Sequence, residues 1–465
     1  NGTQVSSAQA AELKQALPKC EIAFPTDPLV IALAESRGNL MSALDAVGQL
    51  KFDEKVPTKL HSLNVKHPRF EDAGLEQLAP LTTLQKLSLL GTKVTDAGLK
   101  SLRTMTELEE LWLDQTVVSD AGLEEIASLM KLKTVYLRGT HVTAAGALRL
   151  MKALPDAEIH FTYGVRDRNG LTLLQLVSDG DLAALPELPK LTSLKLLDCP
   201  ITDSGLEHVV AVSELQRLSL NGNKITSVGL KKLGALKKLV MLDLNRSPIG
   251  DEAMRPVGEL TSLQELYLGQ TNVGNDGLTH LKSLSNLLAL GLSDTRATGA
   301  GLLHLAGLRK LAVLNLTNTV VSDGQLAKLT PQIKQLRRLG LRGTQVSGPG
   351  LKALKDLTQL EVLWLDNTSV TGAGLINVKP LSSLIELDLS DCKQIASGLE
   401  SLHGLTKLQR LKLNGVVLPQ KELDALYAAL PKCEITYSPD PLVKALVENQ
   451  NDLPKALATI AEVET

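Results

Sequence analysis

The chain has 465 residues, of which 43% are hydrophobic and only 2% aromatic, and its formal net charge is −2. So small a charge excludes a global field that would attract nucleic acid or an acidic membrane surface. No run of 18 apolar residues occurs, so we expect no membrane insertion within this chain.

The start of the chain has a counterpart near its other end. Most positions between Ala16 and Val30 carry the same residue type as the positions between Ala429 and Val443. Asn1 to Val5 resembles Arg138 to Val142, so we expect 1–24 to be the end of a truncated array taken from a longer protein of tandem modules. Asp27 and Pro28 suit a helix start, and 25–58 is predicted to be a helical connector.

A repeated unit then fills 59–162. The segment from Leu84 to Leu99 returns as Leu108 to Leu123, and a fixed period of this length indicates a solenoid. Within a unit, leucines first alternate as in a strand and then recur every third residue, as on one face of a short helix. Thr95 is a predicted helix N-cap, and the carboxylate of Asp96 suits the positive start of the helix.

A small polar residue stands at the ninth position of most units. Such a side chain at a tight turn can satisfy backbone groups of the loop, so we interpret the row as structural. Its members are Thr92, Thr116, Thr140, Thr271, Thr295, Thr319, Thr344 and Thr368, with Cys199, Asn223, Ser247 and Cys392 in other units.

The array is interrupted once and then resumes. The segment 163–190 reads as an irregular break with a degenerate repeat, which either bends the solenoid or separates two arrays. The segment 191–437 forms the second array with its own terminal unit. The frame Ala-Leu-Pro-x-x-Glu-Ile closes both arrays, and 438–465 is predicted to be a C-terminal helical segment.

These phrases, above all Val94 to Leu99 and Cys199 to Leu206, resemble the leucine-rich repeat superfamily, in particular its cysteine-containing subclass and planctomycete-type bacterial members. The resemblance implies an α/β fold, a right-handed solenoid with a curved parallel sheet on the concave face and short helices on the convex face. It further implies binding of macromolecules on the concave sheet, and it slightly favours an extracytoplasmic or cell-surface location.

Both tryptophans of the chain fall at the central outward position of a predicted strand. Aromatic residues with flanking charges are typical of interface anchors, so we predict partner binding at two clusters and at Tyr267. The alternative is that neighbouring side chains merely satisfy one another across strands, with a ring covering the glycine of the next strand. The clusters are Glu110, Trp112, Asp114, Tyr136 and Arg138, and then Arg338, Arg342, Trp364, Asp366, Glu386 and Asp388.

Nothing in the sequence indicates catalysis. No Cys-x-x-Cys pair, phosphate-binding loop or nucleophile elbow occurs, so we predict no enzyme activity, no cofactor and no metal. His208, His280 and His304 share one helix position, and we interpret them as residues of a solvated face.

Two functions remain open. The first is a non-catalytic scaffold that recognises a protein partner on the concave sheet face. The second is a structural envelope or cell-surface protein whose tandem modules self-associate.

Overall fold

The computed structural model describes residues 60–65, 67–167, 170–188 and 190–438, together with Ala445. Contacts between residues divide the chain into two compact units. Unit 1 comprises Asn1–Ile201 and Glu207–Leu215, and unit 2 comprises Thr202–Leu206 and Gln216–Thr465. The predictions made for 1–24 and 25–58 lie outside the described residues, as does almost all of the predicted helical tail over 438–465.

The sheet of unit 1 is built from the predicted strands of the first array. Strands β1 to β5 pair in parallel, and each residue lies opposite the one a full repeat later, as Leu63 lies opposite Leu87. The sequence period is therefore the register of the sheet. The strands are β1 (Ser62–Asn64), β2 (Lys86–Ser88), β3 (Glu110–Trp112), β4 (Thr134–Leu137), β5 (Glu158–Phe161), β6 (Gly164–Arg166), β7 (Gly170–Leu174) and β8 (Ser193–Leu197).

The irregular segment departs from the wholly parallel sheet that we expected. β6 pairs antiparallel with both β5 and β7, and parallel pairing returns between β7 and β8. Gly164 permits this fold-back, because a Cβ there would lie 2.3 Å from the Thr172 carbonyl oxygen. Arg166 ends β6 with its side chain buried, and its Nη2 donates to the Pro155 carbonyl at 3.3 Å.

All the strands of unit 2 that the structure describes pair in parallel. The register again follows the repeat, and the step from Val313 to its partner Arg338 is one position longer because that repeat contains an insertion. The strands are β9 (Arg217–Ser219), β10 (Met241–Asp243), β11 (Glu265–Tyr267), β12 (Ala289–Gly291), β13 (Val313–Asn315), β14 (Arg338–Gly340), β15 (Val362–Trp364), β16 (Glu386–Asp388), β17 (Arg410–Lys412) and β18 (Glu434–Thr436).

Short helices alternate with the strands. The α-helices are α1 (Asp72–Leu78), α2 (Asp120–Ile126), α3 (Ala144–Ala153), α4 (Gly205–Val210), α5 (Ser227–Leu230), α6 (Met254–Gly258), α7 (Asn275–Leu278), α8 (Gly299–Leu302), α9 (Asp323–Leu329), α10 (Gly348–Lys352) and α11 (Gln420–Ala429).

Many helical segments are 3₁₀ rather than α. Leucines spaced by three, such as Leu99 and Leu102, lie directly above one another in a helix whose turn spans three residues. The 3₁₀ segments are Gly98–Thr104, Asp179–Glu187, Lys231–Ala235, Asp251–Ala253, Thr279–Ser283, Leu303–Gly307, Thr330–Gln332, Ala353–Asp356, Gly372–Val378 and Leu399–Leu402.

The core of each unit lies between its strands and its helices. Leu87, Leu111 and Leu363, the central residues of their strands, have no exposed surface, and neither have Leu99 and Leu102 on the helical side. These burials confirm the leucine pattern read from the sequence. Each fully buried leucine contributes about 2 kcal/mol of transfer free energy, so the repeated leucines are the main source of stability.

The row of threonines has the structural role expected of it. The hydroxyl of Thr92 donates to the Leu89 carbonyl at 2.8 Å, and that of Thr116 donates to the Leu113 carbonyl at 2.7 Å. Both threonines are buried. Each hydroxyl thereby satisfies a carbonyl at the end of its own strand.

The helix starts are joined from one repeat to the next. Asp72 accepts hydrogen bonds from the backbone N–H of Thr95 at 2.7 Å and from its hydroxyl at 2.5 Å. Asp96 makes the same two bonds to Ser119 at 2.7 and 2.5 Å. Besides the predicted favourable effect at its own helix start, each aspartate therefore holds the following repeat in place.

Candidate partner-binding face

The residues that flank the buried centre of each strand form what we call the open face of the sheet. In unit 1, Asn64, Ser88, Trp112, Tyr136 and His160 lie opposite one another on successive strands and form one row. All five side chains are half-buried rather than buried. The rings in this row are thus held by their strands while part of each stays in contact with solvent.

Three of these residues form a continuous stack of rings. The centroids of Trp112 and Tyr136 are 5.3 Å apart with planes inclined by 7°, and those of Tyr136 and His160 are 4.7 Å apart at 15°. These separations match the distance of about 4.8 Å between parallel strands, so the register of β3, β4 and β5 itself creates the stack. His160 was missed by the sequence analysis, although it lies one full period after Tyr136.

Charged groups border the stack. The Nη2 atom of Arg138 lies 3.5 Å from Nδ1 of His160, and Nε2 of His160 lies 2.8 Å from a carboxylate oxygen of Glu158. Asp114 accepts the backbone N–H of Arg138 at 2.6 Å, so this carboxylate fixes the loop that presents Arg138. The structure therefore brings Trp112, Tyr136, Arg138 and Asp114 together, as predicted.

Glu110 forms an ion pair on the side of its strand away from the ring stack. Its carboxylate lies 2.7 Å from the ammonium group of Lys86 on the neighbouring strand β2. Both side chains are partly exposed, so the pair contributes little to stability.

In unit 2, the open face contains a cavity of about 300 Å³. We call it the Trp364 pocket. Its lining residues come from the ends of β13 to β17 and from the turns that follow them. They are Thr317, Arg342, Trp364, Asp366, Glu386, Asp388 and Lys412. The pocket thus includes five residues of the second predicted cluster, and it adds Thr317 and Lys412.

Trp364 is fixed on two sides. Its indole N–H donates to Oε1 of Glu386 at 2.9 Å, and its ring covers Gly340, where a Cβ would lie 3.2 Å from Cε3. Arg410 donates to Oε2 of Glu386 at 2.9 and 2.6 Å. Burial alone would raise the pKa of Glu386, but the hydrogen bonds from Trp364 and Arg410 outweigh it and lower that pKa below its ordinary value.

The other two carboxylates of the pocket are held by exposed cations. Arg342 contacts Asp366 at 3.0 Å and Lys412 contacts Asp388 at 3.5 Å, while both cationic side chains remain largely exposed. Burial raises the pKa of Asp366, and the neighbouring negative charge of Asp388 raises it further, with Arg342 opposing both. The pocket therefore contains carboxylates whose charge is incompletely compensated.

Two of the predicted site residues of unit 2 lie outside the Trp364 pocket. Arg338 is exposed and lies opposite Val362 in the sheet. The Tyr267 ring covers Gly291 and its hydroxyl donates to Glu265 at 3.0 Å, and Glu265 also receives two bonds from Arg217 at 3.0 and 3.3 Å. Tyr267 and Trp364 thus both follow the packing alternative in covering a glycine.

Burial and neighbouring charges shift the pKa values of Tyr267 and Glu265 in opposite directions. Burial, followed by the charge of Glu265, raises the pKa of Tyr267 to about 12. The hydrogen bonds from Arg217 lower the pKa of Glu265 below its ordinary value. Tyr267 therefore stays a neutral donor at any physiological pH.

Comparison with known proteins agrees with this architecture. Residues 187–209 and 214–234 match the sequence pattern of the family described as leucine-rich repeat. The chain has the leucine-rich repeat fold. Its assignment to the cysteine-containing or planctomycete-type subclass stays a prediction, and no curated protein matches the sequence significantly.

Solved leucine-rich repeat structures cover most of the chain. A leucine-rich repeat protein of Leptospira interrogans is 23% identical over 81% of this chain and 89% of its own, with a TM-score of 0.53. The mouse RP105/MD-1 complex contains a chain that is 19% identical over 87% of this chain and 72% of its own, also with a TM-score of 0.53. An internalin of Listeria monocytogenes is 21% identical over 84% of this chain and 98% of its own, with a TM-score of 0.42.

Within the part of the chain that the structure describes, no set of three or more histidine, cysteine, aspartate or glutamate side chains is placed to hold a metal ion. Likewise, none of the helices described in the structure combines the length and the apolar character needed to cross a bilayer. The leucine-rich repeat fold in general serves as a scaffold for protein interactions.

Proposed function

We propose that this chain is a non-catalytic scaffold that binds a protein partner on the open face of its sheet. The observation that carries the proposal is the stack of Trp112, Tyr136 and His160, whose rings stay half-exposed on a face where burial does not require aromatic residues. Rings of this kind contribute a large contact area at low cost in side-chain entropy, and they are enriched at binding hot spots.

Two further observations support a protein partner. Arg138 and the Trp364 pocket supply charged groups beside the rings, which is the composition of an interface rather than of a buried core. The mouse RP105 protein, whose fold this chain shares, was solved in complex with MD-1. On the basis of this shared fold we extend protein binding to this chain, and we keep self-association as the alternative.

The proposal is tested by selecting peptides from a random displayed library on the immobilised chain. A selected peptide should bind the Trp112→Ala or Trp364→Ala variant at least about tenfold more weakly, because each change removes an anchor. The matched control is Tyr427→Ala, which removes an aromatic ring that is 45% exposed on helix α11, away from the open face. Circular dichroism should show the same secondary structure in all three variants.

The outcome also separates the two open functions. If selected peptides bind all three variants as tightly as the unchanged chain, the open face is not the binding surface. Light scattering over a range of protein concentrations examines the alternative, because a mass that grows with concentration and falls in Trp112→Ala would favour self-association through this face.

A further inference from the structure

The Trp364 pocket has the size and the lining of a site for a single side chain. Its volume of about 300 Å³ lies at the lower end of ligand pockets in proteins. One wall is the indole of Trp364, which the bond to Glu386 and the contact over Gly340 hold in one position. An incoming group therefore meets a rigid aromatic surface rather than a mobile one.

The charges of the lining that are fixed in place are negative. Arg410, outside the lining, neutralises Glu386, while the side chains of Asp366 and Asp388 are 12% exposed and, among the described residues, pair only with Arg342 and Lys412, whose side chains are 61% and 41% exposed. Glu386 is committed, because Trp364 and Arg410 already occupy its two oxygens. Oδ1 of Asp388 accepts the backbone N–H of Ser390 at 3.0 Å, so the oxygens that a ligand can reach are those of Asp366 and Asp388 that now pair with exposed cations.

The present partners of these two aspartates are easily displaced. The side chain of Arg342 is 61% exposed and that of Lys412 is 41% exposed, whereas each aspartate side chain is only 12% exposed. Ion pairs of exposed long side chains contribute little free energy, since water competes for the charges and the side chains lose entropy. A cation from outside can therefore replace them at low cost.

We propose that the Trp364 pocket receives an arginine side chain of the protein partner, with its guanidinium against Asp366 and Asp388 and its aliphatic stem along Trp364. The inference rests on the proposed function and names the chemistry recognised by one part of it. Arginine fits better than lysine, because a planar guanidinium donates to two carboxylates at once, whereas an ammonium group is a single point charge.

The probe for this inference is N-acetyl-L-argininamide, titrated against the whole chain by calorimetry and by ligand-observed NMR. We expect saturable binding with a dissociation constant on the order of 1 mM, as is usual for a ligand of this size. N-acetyl-norleucinamide, which has an uncharged side chain, should not bind. Raising the salt concentration should weaken the binding of the arginine probe, because the attraction is between charges.

Two variants locate the probe in the pocket. Asp388→Asn should weaken binding about tenfold, because a charge-assisted hydrogen bond is lost while the shape of the side chain is kept. Arg342→Gln should tighten binding several-fold, since it removes the cation that competes for Asp366, an effect that a merely structural role of Arg342 would not produce. The matched control is Asp243→Asn on the open face of β10, which should leave binding unchanged.

Failure of this inference is distinguishable from failure of the proposed function. The inference is wrong if the arginine probe does not bind, if Asp388→Asn leaves its binding unchanged, or if N-acetyl-L-glutamate binds instead through Arg342 and Lys412. Peptides that bind the open face would then still support the scaffold. Conversely, binding of the arginine probe without any peptide that depends on Trp112 or Trp364 would support the pocket chemistry and contradict the scaffold.

Discussion

At the scale of single residues, the glycine of the repeated Asp-x-Gly motif is explained by an aspartate of the preceding repeat. A Cβ on Gly98 would lie 2.2 Å from Oδ1 of Asp72, and one on Gly122 would lie 2.4 Å from Oδ1 of Asp96. These aspartates are the ones that bind the next helix start. The glycine is therefore required for space, because the aspartate of the previous repeat occupies the volume of a side chain.

Replacing Gly122 by alanine tests this relation. We expect Gly122→Ala to destabilise the protein by about 1–3 kcal/mol, because the new methyl group displaces the carboxylate that holds Ser119. The control is Gly324→Ala, also in a helix, where a Cβ meets nothing within 4 Å. It should stabilise the protein by about 0.5–1 kcal/mol, since alanine favours helix more than glycine does. Urea unfolding midpoints that move in the same direction for both variants would contradict the explanation.

At the scale of elements, helices α8 and α9 lack the usual pair of an aspartate and a glycine. The two positions still accommodate one large and one small residue. Gly299 takes the position of the aspartate, and Gln325 takes the position where the next repeat would place its glycine. A Cβ on Gly299 would lie 2.0 Å from the Cβ of Gln325. The large side chain therefore stands at the usual glycine position, and the glycine stands at the usual aspartate position. The Gln325 side chain accepts the backbone N–H of Ser322 at 3.0 Å, which elsewhere is the task of the aspartate.

Restoring the usual pair between α8 and α9 should be tolerated only when both residues change. Gly299→Asp alone should destabilise the protein by about 1–3 kcal/mol through overlap with Gln325. Gln325→Gly alone should cost about 1–2 kcal/mol, because it removes the acceptor for Ser322 and introduces a helical glycine. The double variant should lie within about 0.5 kcal/mol of the unchanged protein, as the coupling of contacting residues predicts.

A double-mutant cycle measured by urea unfolding decides this point. The control cycle combines Gly299→Asp with Gln345→Gly, an exposed position in the same unit. Additive losses in the first cycle would show that Gly299 and Gln325 do not act as a pair.

At the scale of the whole molecule, the sequence period predicted the register, the buried leucines and the hydrogen-bonded threonines, because each depends on spacing along the chain. The ring stack was only partly predicted: Trp112 and Tyr136 follow from the period, whereas His160 belongs to a terminal unit in which the repeated phrase has changed. The antiparallel strands around Gly164 were missed because they have no counterpart in the repeat. The hydrogen bonds of Glu386 with Trp364 and Arg410 depend on side-chain rotamers, which spacing along the chain does not determine.

The stacking of repeats also predicts how far a destabilising core substitution affects neighbouring strands in unit 2. Leu290, in the middle of β12, is 1% exposed, so Leu290→Ala should cost about 2–5 kcal/mol through lost burial and a cavity. The control is Leu303→Ala at a residue that is 39% exposed, which should cost less than about 1 kcal/mol. Hydrogen exchange measured by mass spectrometry should show faster exchange of amides in β11, β12 and β13, with β17 close to unchanged.

The reason for this gradient is that the strands are joined only to their neighbours. The amide of Leu268 donates to the Gly291 carbonyl at 2.9 Å, and that of Val313 donates to the Leu288 carbonyl at 2.9 Å. Opening of β12 therefore frees backbone N–H groups of the strand on each side. Strand β17 keeps its own hydrogen bonds to β16 and β18. In a solenoid, stability is close to a sum of repeat and nearest-neighbour terms, so the effect should decline with each strand. Uniformly faster exchange from β9 to β18 would instead mean that unit 2 opens as one cooperative body.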